Sequence, residues 1–172
     1  MLRQLDEELR APTELHCLGG FVIAEHYNLT RATADLDVIE SKGTKLAEIA
    51  TLAGRGSALH QRYKVFVDVV AVATIPDGYE QRLAEASRDT FRKLRLRVLE
   101  RHDLVLAKLT RNSDRDRADV EAMAAGPGLD IGILRTRYRD ELRYKLARPE
   151  REDLTLALWI EIIEEVTRRR HG

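Results

Sequence analysis

Cysteine is all but absent from this 172-residue chain: Cys17 stands alone, so no internal disulfide can form and no CxxC pair offers a zinc site. A lone thiol within the short apolar stretch Leu15 to Leu18 is read as a buried structural residue. No apolar run approaches the roughly 20 residues of a membrane span. Met1 to Arg10 is too charged for a signal peptide, which predicts a cytosolic chain with no membrane partner. His16, His26, His60 and His102 show no metal-ligand spacing, and no internal repeat or low-complexity segment interrupts the chain. Redox, structural-zinc and membrane functions are thereby set aside.

What the chain does have is a globular balance of 44% apolar and 34% charged residues, with a net charge of zero. The charge is unevenly spread. Residues 1–86 carry 9 lysines and arginines against 13 acids, and residues 87–172 carry 20 against 16. Most of the basic excess is arginine, whose fork suits phosphate oxygens better than an ammonium does. A plain solvated surface of mixed charge is the competing explanation.

Periodicity divides the chain near residue 100. Leu2 to Arg10 places leucines at 2, 5 and 9, as an amphipathic helix does, and Pro12 stops it. Leu15 to Leu18 reads as a strand ending abruptly in Gly19-Gly20, with a helix over 21–27 beginning at that turn. Residues 34–39 alternate as a strand, 44–52 space like a helix ended by Gly54 and Gly56, and 64–73 and 91–99 read as further strands. The last of these is half-exposed and a candidate for a sheet edge. Beyond it only helices are predicted, over 103–109, 114–125, 129–144 and 153–170, with Ser113 and Asp116 spaced as a capping box. The expected fold class is α+β: a small mixed sheet flanked by helices over residues 1–100, with a helical block over 101–172 packed on it.

Three features carry chemistry. Asp35 and Asp37 are two apart in a strand, so their carboxylates project from one face, as a hard cation such as magnesium or manganese requires. The Gly19-Gly20 turn opens a helix whose backbone N–H groups can receive a phosphate. Asp68 is the outlier among the β-branched and aromatic residues of 64–73. Burying a lone carboxylate is costly unless it is paired or metal-bound, so Asp68 is a candidate third ligand or general base. Together these suggest nucleotide chemistry.

Gly19-Gly20 followed by Arg31, Thr33, Asp35, Leu36 and Asp37 resembles the first motif of the polymerase β-type nucleotidyltransferase superfamily. The run from Asp103 through Lys108 to Arg111, with Arg115, Asp116 and Asp119-Val120 after it, resembles the later motifs of the AbiEii-like and MenT-like toxins and related nucleotidyltransferase-like proteins. In those a lysine and a downstream aspartate accompany the metal-binding pair. The resemblance spans residues 13–125. Gly-Gly stands where many polymerase β-like enzymes have Gly-Ser, which removes a hydroxyl from the turn and points to the AbiEii-like branch.

The resemblance implies the polymerase β-like nucleotidyltransferase fold and a magnesium-dependent transfer of a nucleotidyl group from an NTP to an acceptor hydroxyl. The acceptor could be RNA, such as a tRNA 3′ end, and the chain the toxin of a toxin–antitoxin pair with a cognate antitoxin as partner. Asp35, Asp37 and Asp68 would hold the metal, while Gly19, Gly20, Arg31 and Thr33 grip phosphates. Lys108 would place a charge on the triphosphate, Asp119 would orient that lysine or bind the base or metal, and Arg111 and Arg115 would assist. The alternative is a non-catalytic partner protein that keeps the fold. Each residue also has a plainer role open to it: Asp68 pairing with Arg95 or Arg97, Lys108 snorkelling from an apolar helix, and Asp116 and Asp119 favoured by a helix dipole.

Overall fold

The opening leucines form helix α1 (Leu2–Glu8), with Leu5 and Leu9 buried. The structure, a computed structural model, describes residues 1–27, 33–86 and 91–171. It divides into two compact units, residues 1–73 with 83–99 and residues 74–82 with 100–172.

In the first unit β1 (Thr13–Leu18) runs into α2 (Gly19–Phe21), which widens into a π-helical turn over Val22–His26. Then come β2 (Asp35–Lys42), α3 (Leu46–Ala53), α4 (Ala58–Tyr63), β3 (Phe66–Val69), β4 (Ala84–Glu85) and β5 (Leu94–Val98). The strands form one mixed sheet in the order β3-β2-β1-β5-β4. β1 is antiparallel to β2 and parallel to β5, β2 is parallel to β3, and β4 is antiparallel to β5. One face of the sheet is aliphatic and buried: Leu15 and Cys17, Leu36 and Val38, Val67, and Leu94, Leu96 and Val98. Cys17 is the buried thiol its surroundings predict. The alternation that buries these residues turns Glu14, His16, Asp35, Asp37, Asp68, Arg95 and Arg97 to the other face.

Two strands differ from the sequence reading. β5 is not an edge strand: the two-residue β4 pairs with its outer side, and two residues are too few to show a period. β3 is only four residues long: its ladder begins at Asp35↔Phe66, where β2 starts, and ends at Val38↔Val69 although β2 runs on to Lys42. Helix α4 was not predicted, although Ser57 caps it by accepting the His60 N–H.

The second unit is helical: α5 (Tyr79–Arg82), α6 (Arg101–Leu106), α7 (Asp114–Ala125), α8 (Ile131–Arg137) and α9 (Pro149–His171). The helix expected over 129–144 changes pitch, becoming a π-helical turn at Tyr138–Leu142 and a 3₁₀ turn at Arg143–Lys145. Tyr138 and Arg143 both bond to Asp153 there. Pro149 opens α9, where its missing N–H leaves no bond unmade. α9 packs on α7 through Trp159, Ile160 and Ile163, all buried. Among the described residues no helix is long and apolar enough to cross a membrane.

Candidate active site

The end of β1 and the middle of β2 place a glycine against a carboxylate. A register shift between His16 and Cys17 leaves Leu18 opposite Asp37, and the next residue, Gly19, turns with φ +77°. A Cβ built on Gly19 would lie 1.7 Å from Asp37 Oδ2 and 2.7 Å from its Cγ. Both the backbone angle and the contact therefore demand glycine. Gly20 follows, also buried, in the first turn of α2.

Asp37 lies in register with Asp68 on β3, and Asp35 precedes it by one full strand repeat on the same face. The Thr33 hydroxyl donates to Asp35 Oδ1 at 2.5 Å, which fixes that carboxylate's orientation. Asp35 and Asp37 are half-buried, whereas Asp68 is exposed. Asp68 is therefore not a buried lone carboxylate: it is exposed on an edge strand, and what singles it out is its register with Asp37. Two strands separate it from Arg95 and Arg97, so the cross-sheet pairing does not occur. Burial, with the nearby Asp37 charge second, pushes the Cys17 thiol far above its ordinary value. Arg31 lies outside the described residues.

Among the described residues no three His, Cys, Asp or Glu side chains converge tightly enough to cage a metal ion. The carboxylates fit a different kind of site. Magnesium keeps several waters and is held by one or two carboxylates together with substrate phosphates, and a pair on one sheet face beside a glycine turn meets that need.

In the second unit Lys108 lies in the turn after α6, not on the helix, and is 4% exposed. Its Nζ donates to Asp119 Oδ2 at 2.8 Å and to Asp116 Oδ1 at 3.3 Å. The two acids are three apart on α7 and so share a face. Snorkelling is ruled out, because the ammonium is the buried end. Ser113 and Asp116 make the predicted capping box. Arg111 holds Asp116 through Nε at 2.8 Å and Nη2 at 2.5 Å. Burial alone would raise the Asp116 carboxyl, but hydrogen bonds from Arg111 and Ser113 and the Lys108 charge hold it well below the usual carboxylate range. Arg115 is exposed.

A second charged cluster went unread in the sequence. Fully buried Asp103 accepts from Arg82 Nε at 2.8 Å and from Arg137 Nη1 at 3.0 Å. Glu100 accepts from Arg137 and, at 2.7 Å, from His102 Nδ1, while His102 Nε2 accepts the Asp130 N–H at 2.8 Å. The backbone donor at Nε2 assigns the ring proton to Nδ1. Burial would raise the Glu100 carboxyl, yet the bonds from His102 and Arg137 bring it down to about 2. The only sequence signal is a His-Asp pair heading the apolar run Leu104 to Leu106, whose arginine partners are 21 and 34 residues away.

A family model described as "Nucleotidyltransferase of unknown function (DUF6036)" matches residues 1–167. No curated protein and no solved structure matches the chain.

Proposed function

Since the chain belongs to this family of nucleotidyltransferases of unknown function, we propose that it moves a nucleotidyl group from an NTP to an acceptor hydroxyl with magnesium or manganese as cofactor. The observation that supports this best is the Gly19 backbone seated against the Asp37 carboxylate, with Asp35 and Asp68 on the same sheet face.

Asp35 and Asp37 would hold the cation, with Thr33 keeping Asp35 oriented. Bound there, the cation would neutralise the triphosphate and favour departure of pyrophosphate. The Gly19 and Gly20 amides, with Arg31, would receive phosphate oxygens. The acceptor oxygen forms the new bond to the α-phosphorus, the α–β anhydride bond breaks, and Asp68 takes the hydroxyl proton. The roles of Lys108 and Asp119 toward the triphosphate rest on the resemblance alone; within its own unit Lys108 donates to Asp119 and Asp116. Arg111 and Arg115 would support it.

The resemblance to AbiEii-like and MenT-like toxins supports RNA as acceptor, a cognate antitoxin as partner and a cytoplasmic setting. The charge balance supports RNA less than composition suggests, since Arg82, Arg111, Arg137, Arg139 and Arg143 all bind carboxylates of their own unit.

Incubation with each labelled NTP, magnesium and extracted RNA should label the RNA, and Asp37→Ala should abolish labelling while leaving the melting temperature within a few degrees of the parent. If no NTP is incorporated into RNA or protein and none raises the melting temperature, the non-catalytic reading stands instead.

A further inference from the structure

Helix α9 has two apolar faces, and the packing with α7 uses one. Trp159, Ile160 and Ile163 are buried, yet Leu154 and Leu158 are 69% and 58% exposed. At 100° per residue Leu154, Leu158 and the half-buried Ile162 lie along one line, on the side of α9 away from Ile160 and Ile163. Exposed Arg151 and Glu165 extend that line at its two ends.

The spacing of this stripe is symmetric. Counted from Leu158, Leu154 and Ile162 fall four residues either side, and Arg151 and Glu165 fall seven either side. An antiparallel copy rotated about Leu158 would bring Leu158 onto itself, Leu154 onto Ile162 and Arg151 onto Glu165 at both ends. No stripe position then meets a like charge. Leu158 and Ile162 also border a groove of about 270 Å³ shared with Asn112 and Arg117, where the other copy's Leu154 would enter. Glu165 pairs with Arg169 within its own helix, but both side chains are exposed and such a pair is weak enough to be exchanged.

We infer that the solvent face of α9 is a homodimer interface, in which two copies pair antiparallel about Leu158. The occupant is a second copy because the stripe complements itself in both shape and charge, as an isologous interface must. The stripe is about 21 Å long at 1.5 Å per residue. Three apolar side chains per copy are a small anchor set, so association is expected in the micromolar range.

Sedimentation of the full chain from about 1 to 200 µM should show a monomer–dimer equilibrium. Leu158→Glu should weaken it by at least tenfold with the far-ultraviolet dichroism unchanged. Arg151→Glu and Glu165→Arg should each weaken it, and the two together should restore it. Register is tested by disulfides: Leu158→Cys should cross-link to itself on oxidation, whereas two Leu154→Cys thiols would lie about eight residues apart along the pair, too far to bridge. A monomer throughout the range overturns the inference and leaves the stripe to a protein of different sequence. So does a dimer indifferent to Leu158→Glu, or a Leu154→Cys chain that cross-links as readily as Leu158→Cys.

Discussion

At the scale of single residues the candidate site depends on an atom that is missing. Gly19 has no Cβ, and the Asp37 carboxylate occupies the space where one would be. Gly19→Ala is therefore expected to act twice. A non-glycine residue at φ +77° costs about 1–2 kcal/mol, and the new methyl must displace Asp37. A displacement near 1 Å can reduce turnover about a hundredfold. The predicted outcome is a modest drop in melting temperature with a near-complete loss of nucleotidyl transfer; a variant that melts early but transfers normally would remove the Gly19–Asp37 contact from the mechanism. The pairing of Asp35 with Asp37 was legible in the sequence because strand alternation is a local rule. The exposure of Asp68 was not, since Phe66 and Val67 just before it are buried and its own letters, Phe66 to Val69, look like one buried run.

At the scale of elements, what was legible again followed local rules, and what was missed required a partner distant in sequence. Ser113 and Asp116 announce the start of α7 because a capping box lies within four residues. The interior place of β5 depends on β4, which two residues cannot announce. Lys108 lies between these cases: its position in a motif was visible, but the carboxylates that clamp it stand 8 and 11 residues later. That clamp ties the turn after α6 to the first two turns of α7, and it makes a prediction. Lys108→Met removes the ammonium that Asp119 and Asp116 both accept from, and breaking a buried pair from one side costs about 3–5 kcal/mol. Asp116 is cushioned, because Arg111 and Ser113 remain. Adding Asp119→Asn should therefore recover a large part of the lost stability in urea unfolding. If the double variant is less stable than Lys108→Met alone, the ion pair is not what the lysine contributes to the fold.

At the scale of the whole molecule the two units differ in how folding treats their acids. In the first, Asp6 is held low: burial would raise it, but the N–H groups of Arg92, Lys93 and Leu94 lower it further. In the second, Glu100 is brought down to about 2, and Asp116 and the Asp153 carboxyl bonded to Arg143 and Tyr138 are also lowered. Folding holds each of these below its unfolded value, so the stabilisation they bring is fully present above about pH 5 and is lost as pH falls toward 2. More of it belongs to the second unit, and that unit also holds the chain's single tryptophan. Trp159 is buried and its indole donates to Asn112 at 3.2 Å, so its emission reports the packing of α9 against α7. On acidification from pH 6 to 2.5, Trp159 emission should shift to the red before the far-ultraviolet dichroism of the first unit's strands is lost. Glu100→Gln removes one titrating group whose loss of charge drives that shift, so it should lower stability at pH 7 and flatten the pH dependence between 5 and 2.5. Emission and dichroism moving together at every pH, unaltered by Glu100→Gln, would mean that the Arg137–Glu100–His102 cluster does not set the acid limit and that the two units unfold as one.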